Sequence, residues 1–297
     1  MTRIISHLAE IAPRYRAIFC DLWGCVHNGI APFPAAVAAL QAFRAEGGKV
    51  VLVSNAPRPK SSVIKQLNRL GVPHDAWDEI ATSGDCAQYA MITGAVGRRL
   101  YHIGPMSKDK PFFTEFADDI AGIVASEEPF SLVPLEDAEG IIVTGLNDED
   151  TETPDDYRAT FLYAKTKGLK LLSANPDLVV DVGERRIYCA GALAKLYDEM
   201  GGESLSFGKP FPPVYDLARR RLNALGSSVA DDDILCIGDG IDTDILGAGL
   251  EGLDSLFLTE GLAAGQFGAA DNPDADKLTA WLLQSQRNPT YAMGMLG

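Results

Sequence analysis

Short apolar runs alternate along the chain with stretches in which apolar residues recur every three or four positions. The runs at 17–22, 49–54, 140–145, 169–173 and 233–238 each lead into a glycine, serine or aspartate turn and then a helix-period stretch. Short apolar runs bounded by turn residues predict buried strands, and strand alternating with helix predicts an α/β protein with a mainly parallel sheet. One helical stretch sets Val214, Leu217, Ala218, Leu222 and Leu225 on one face and turns Arg219, Arg220 and Arg221 outward, the spacing of a surface helix packed on a sheet. The middle of the chain carries its own strand–helix pattern, including Arg98–Ile103, Gly140–Thr144 and Leu169–Ser173. A second α/β domain inserted into the first accounts for this, with the core at 1–84 and 206–297 and the insertion at 85–205. Residues 264–276, small, polar and acidic, predict a loop.

At 297 residues the chain has room for one large or two moderate domains. Its formal charge of −15 argues against nucleic acid, because binding a phosphate backbone relies on clustered Lys and Arg. A phosphorylated small molecule is not excluded, since one metal ion and one lysine set the local field. The five cysteines, Cys20, Cys25, Cys86, Cys189 and Cys236, are scattered without a C-x-x-C pair, which predicts reduced thiols rather than a disulfide framework or zinc site. The N-terminal residues Met1–His7 lack a secretory apolar region, and no apolar stretch approaches the roughly 18 residues of a membrane span. The expected location is the cytoplasm, with no membrane partner.

Four segments carry candidate chemistry. Asp21 ends the first apolar run and precedes Leu22-Trp23-Gly24; Ser54-Asn55 ends the second; Gly208-Lys209-Pro210 and Gly238-Asp239-Gly240-Ile241-Asp242-Thr243-Asp244 come late in the chain. In an open parallel sheet ligands bind outside the carboxyl ends of the strands, so segments that end strands can converge there. Asp21 is a candidate carboxylate nucleophile toward phosphorus. Asp21 and Asp239 offer hard oxygen ligands suited to Mg²⁺. Ser54 is a hydrogen-bond donor to phosphoryl oxygens, and Lys209 a point charge that neutralises phosphate. Asp242 and Asp244 follow in a Thr/Asp-rich turn, from which one orients the metal's surroundings. Gly24 permits a turn that aims backbone N–H groups at phosphate. Asn55 is read equally as a substrate contact or a local cap.

In this order the segments resemble the four motifs of the haloacid dehalogenase superfamily, in its class IIA, NagD-like branch. Ser173-Ala174-Asn175-Pro176-Asp177 resembles that branch's cap signature, Cys189-Ala190-Gly191-Ala192-Leu193 the stretch after it, and Thr82-Ser83-Gly84 the entry to the cap. The resemblance implies a Rossmann-like core, an inserted cap of the C2 type, and Mg²⁺-dependent hydrolysis of a small phosphorylated metabolite. It implies that Asn175 and Asp177 contact substrate, and it suggests a homodimer through the cap.

One position departs from the family pattern. The second aspartate, two residues after the nucleophile, protonates the leaving oxygen and then activates water; here Trp23 stands in its place. The indole does neither, although the Trp23 backbone carbonyl still qualifies as a metal ligand. Losing a positioned acid/base costs about 10²–10⁴ in rate. The expected consequence is a phosphatase restricted to good leaving groups, or one with a substitute base, for which His27 and Asp242 are the candidates. The alternatives are a phosphate-binding sensor and a phosphotransferase. Trp77 and Trp281 lie far from the motifs and read as core packing; Arg58, beside Ser54-Asn55, and Tyr188, near the cap signature, read first as solvated surface and second as contacts to a substrate anion.

Overall fold

The computed structural model describes residues 2–182, 185–226, 228–268 and 272–297. Its strands, numbered in chain order, begin with β1 (Arg3–Ile4), β2 (Ala17–Cys20), β3 (Lys49–Ser54) and β4 (Glu79–Thr82). There follow β5 (Arg99–Ile103), β6 (Ser131–Leu132), β7 (Gly140–Val143), β8 (Lys170–Ser173), β9 (Val179–Val182), β10 (Arg185–Tyr188) and β11 (Glu203–Ser206). The last are β12 (Ile234–Gly238), β13 (Asp254–Leu258) and β14 (Tyr291–Met293). The apolar runs predicted as strands thus all form them, each shorter by a residue or more at one end except β3.

The chain divides into two compact units, one of Met1–Ser54, Leu67–Ala81 and Tyr215–Gly297, the other of Asn55–Gln66 and Thr82–Val214. The first is built on a seven-stranded sheet in the order β1-β14-β13-β12-β2-β3-β4. Its central strands are apolar throughout and buried, as a sheet covered by helices on both faces requires. Behind β13, Trp281 stacks on Phe257 with ring centroids 5.6 Å apart and meets Phe267 edge-on, and Trp77 is buried. Both tryptophans therefore pack in the core, as expected.

The second unit has a five-stranded parallel sheet, β11-β8-β7-β5-β6, beside the antiparallel pair β9–β10. Leu171, Ile141 and Ile103 line one side of that sheet with Phe161 and Tyr197. Leu172, Ile142 and Leu100 line the other with Met91 and Phe112. Alternation along each strand sends successive side chains to opposite faces, so each apolar strand feeds two cores. The segment 55–66 groups with this unit because it is tied to the helix Ser83–Ile92: Lys60 N–H donates to Asp85 Oδ1 (2.9 Å), and Thr82 Oγ1 donates to Arg58 O (2.9 Å).

Two sequence expectations fail locally. Arg221 is not turned outward: it is 5% exposed and donates to Ile80 O at 2.6 Å. Leu225, expected on the buried face, lies beyond the helix Pro212–Ala224 and is exposed. The helix ends before Leu225 can join the apolar stripe, and the long guanidinium stem lets Arg221 satisfy a backbone carbonyl from an inward position. Within 264–276, residues 269–271 lie outside the described ones, and the helix Ala275–Ser285 claims the last two positions. Among the described residues no helix is long and apolar enough to cross a membrane, and the five cysteines are buried thiols outside any disulfide.

Candidate active site

Strand register brings Asp21 and Asp239 to one sheet edge. Cys20 of β2 pairs with Ile237 of β12, and the next residue's N–H, Asp21, donates to Ile237 O at 2.9 Å. The first residue past β2 and the first past β12 therefore emerge side by side. On the other flank Cys20 pairs with Leu52, so Ser54, buried at the end of β3, reaches the same edge.

Asp21 and Asp239 are both buried, and one carboxylate oxygen of each, with Cys25 Sγ, falls within 4.8 Å of the others. Two glycines crowd Asp239: a Cβ at Gly24 would stand 2.2 Å from its Oδ2, and one at Gly261 2.0 Å. Gly24 also has φ +74°, so it is required both for its left-handed turn and for the carboxylate beside it. Leu262 N–H donates to Asp239 Oδ2 at 2.9 Å, fixing the side chain. Cys25 was not singled out from sequence; its only signal is its place four residues after Asp21, in the turn that follows. Burial, then the charges of Asp239 and Asp21, push its thiol well above the usual range, so the sulfur stays protonated at neutral pH.

The turn after β12 separates the two later aspartates. Asp244 is buried and its Oδ2 accepts Gly240 N–H at 3.1 Å, while a Cβ at Gly238 would strike its Cγ at 2.1 Å. Asp242 instead is 73% exposed and pairs with Arg287 at 2.9 Å. The wide helical turn Ile241–Ile245 aims residues two apart in different directions, so of the two it is Asp244 that turns inward, while Asp242, also named as a possible base, is held at the surface by Arg287.

Trp23 is fixed by the loop it belongs to. Its ring meets His27 edge-on, centroids 4.9 Å apart, and a Cβ at Gly29 would lie 2.3 Å from its Cζ3. Gly24 N–H donates to His27 O at 3.0 Å, closing the loop. His27 is itself 1% exposed; its Nδ1 accepts Gly29 N–H at 3.1 Å, and burial pushes its pKa down to about 4. A neutral imidazole whose Nδ1 accepts carries its proton on Nε2, so the ring braces the loop and offers no spare basic lone pair. His27 is thus a brace of its own loop rather than the candidate base named from sequence.

The remaining predicted residues belong to the second unit, where register again explains their meeting. Ser206 of β11 pairs with Ser173 of β8, so the segments leaving both strands emerge together. Asn55 Nδ2 donates to Asp177 Oδ1 (2.7 Å) and Lys209 O (3.1 Å), and its Oδ1 accepts Lys209 N–H (2.7 Å). Asn175 Oδ1 accepts Asp177 N–H at 2.9 Å, closing the Asn-Pro-Asp turn. Of the two residues held in doubt, Tyr188 is exposed and Arg58 donates weakly to Gln66.

Comparison with known proteins places these segments. A family model for haloacid dehalogenase-like hydrolases matches residues 18–114, and a related model matches 206–281. The crystal structure of a haloacid dehalogenase-like hydrolase from Brucella suis is 37% identical, with TM-score 0.84 over 99% of this chain and 100% of that one. The D-glycerol 3-phosphate phosphatase of Mycobacterium tuberculosis is 26% identical over 86% of this chain, which spans 66% of that relative's length. A glycerol phosphate phosphatase from the same organism, solved with magnesium, is 23% identical with TM-score 0.62, covering 85% of this chain and 70% of that one.

Proposed function

The chain belongs to the haloacid dehalogenase-like hydrolase family, and on that premise we propose that it falls in the class IIA, NagD-like branch and hydrolyses a phosphomonoester of a small metabolite with Mg²⁺. The observation that carries the reading is the buried pair Asp21 and Asp239, converging within 4.8 Å at the carboxyl edge of a parallel sheet. Two carboxylates so close in a poorly solvated place repel, and a divalent cation relieves that repulsion. Hard oxygen donors fit Mg²⁺: the Asp21 and Asp239 side chains and the Trp23 carbonyl would hold it. When bound, the ion supplies charge neutralisation at the phosphoryl oxygens.

The chain's own residues supply the rest. An Asp21 carboxylate oxygen attacks phosphorus; the P–O bond to the leaving group breaks and its electrons depart on that oxygen, giving an aspartyl-phosphate. Water then attacks phosphorus, releasing inorganic phosphate and restoring Asp21. Ser54 donates to the phosphoryl oxygens, and Gly24 lets the backbone approach them. Asp244, from its buried position, orients the surroundings of Asp239. On its motif, Lys209 neutralises the charge that develops on phosphate, and the inserted domain, expected at 85–205, acts as the cap, through which a homodimer is also proposed. With Trp23 locked and His27 committed to Gly29, no side chain assigned here protonates the leaving oxygen, so substrates whose leaving group needs no proton are favoured.

Steady-state phosphate release from 4-nitrophenyl phosphate in Mg²⁺ tests the reading. Activity is expected to disappear on chelation and in Asp21→Asn. Metal-dependent turnover that survives Asp21→Asn removes the nucleophile. Tight Mg²⁺-dependent phosphate binding with no release makes the protein a sensor instead.

A further inference from the structure

A side-chain amide that bonds both the N–H and the C=O of one distant residue leaves that residue little freedom. Asn55 does this to Lys209, 154 positions away in the chain, with bonds of 2.7 Å from the Lys209 N–H and 3.1 Å to its carbonyl. The second proton of the same Nδ2 goes to Asp177 Oδ1 at 2.7 Å. Asn55 is 4% exposed, so three hydrogen bonds employ most of its capacity in a place where losing one is costly. Just before the lysine, Gly208 has no room for a side chain: a Cβ there would stand 2.5 Å from Asn55 Oδ1, 2.8 Å from Pro176 Cδ and 2.8 Å from Ser83 Cβ. Asp177 is steadied in turn by its own N–H to Asn175 Oδ1. The loop after β8, the loop after β11 and the residue after β3 thus meet at one amide.

We propose that Asn55 is a positioning residue that clamps the backbone of Lys209, with Asp177 as its buttress, rather than a contact to substrate. The amide's hydrogen-bonding groups are turned to protein, and a lysine on a flexible four-carbon stem serves a small anion well only if its backbone is held. For catalysis this rests on the phosphatase reading above; the clamp itself does not.

Two measurements separate the two claims. Amide hydrogen exchange on the full chain reads the clamp without activity: in Asn55→Ala the Lys209 N–H loses its acceptor and is expected to exchange at least tenfold faster, whereas Asn55→Asp keeps an oxygen there and retains much of the protection. Unchanged Lys209 exchange in Asn55→Ala overturns the clamp. Kinetics on 4-nitrophenyl phosphate read its consequence. Displacing a catalytic group by about 1 Å costs about 10²-fold, so Asn55→Ala is expected to lose 10- to 100-fold in kcat/KM. Because it acts through Lys209, the loss is not additive with Lys209→Ala, and the double variant is no worse than Lys209→Ala alone. Asp177→Asn keeps the acceptor oxygen and is expected to recover most of what Asp177→Ala loses. Fully additive losses, or Asp177→Asn as impaired as Asp177→Ala, return these residues to substrate contact. A wild-type chain inactive on every phosphomonoester, with Lys209 exchange still dependent on Asn55, refutes the phosphatase reading and leaves the clamp standing.

Discussion

Replacing Trp23 with aspartate puts back the group that the family pattern calls for, and its effect follows from where the indole sits. The ring is held edge-on to His27 at 4.9 Å and lies over Gly29. Losing an aromatic pair of that kind costs about 0.5–1.5 kcal/mol beyond the apolar area the ring buries, against the roughly 5–15 kcal/mol that holds a typical domain together. Trp23 is only partly buried, so the carboxylate keeps some access to water and the variant folds. A positioned acid/base returns about 10²–10⁴ in rate, or about 3–5 kcal/mol of barrier. That gain is selective. The constant kcat/KM reports steps through the first irreversible one, here loss of the leaving group. A nitrophenolate leaves without a proton and an alkoxide does not. Trp23→Asp should therefore raise kcat/KM by about 10²–10⁴ on an alkyl ester such as a sugar phosphate and change it little on 4-nitrophenyl phosphate. Its kcat on the aryl ester may only be compared within one pH and Mg²⁺ concentration, because the new carboxylate also activates the second-step water. Equal fold-changes in kcat/KM on the two esters, in a variant that melts near the wild type, would refute the claim that a missing leaving-group acid limits this enzyme.

Other expectations concern stability. Asp78 accepts two bonds from Arg44, at 2.8 and 2.7 Å, and one from Val50 N–H at 2.9 Å. Burial works to raise its pKa, but those bonds and the nearby Lys49 outweigh it and hold the carboxyl below its usual range. A depressed folded pKa means stabilisation present above the unfolded value of about 3.9 and lost as pH falls through the folded one. Urea unfolding should thus show Asp78→Asn about 2 kcal/mol weaker than wild type at pH 7, with the gap closing at pH below about 4; a pH-independent gap contradicts the assignment. Gly104 has φ +147°, and a Cβ there would stand 2.0 Å from Thr144 Oγ1 and 2.5 Å from Asp109 Oδ2. Gly104→Ala should cost about 2–4 kcal/mol by thermal or urea melts, whereas Gly145→Ala, whose added methyl meets nothing within 4 Å, should change stability far less.

The strands and the residues that end them were legible along the chain, because apolar runs and turn residues are local properties. Asp21, Ser54 and Asp239 each close such a run, and a parallel sheet gathers strand ends at one edge, so their types and order already pointed to phosphoryl chemistry. The absence of a second acid at position 23 was equally visible. What spacing does not carry is direction and register. Asp242 and Asp244 look equivalent in sequence, yet one turn of backbone sends Asp244 inward and Asp242 out to Arg287. Arg221 reads as surface until Ile80 O is found beside it. Cys25 joins the two carboxylates only because the loop after β2 folds back through its own hydrogen bonds. Asn55 turns from a residue next to a serine into the clamp of a lysine 154 positions on. Chemistry of residue types is written in one dimension; which atoms share a few ångströms depends on pairings between distant strands, and those exist only once the chain has folded.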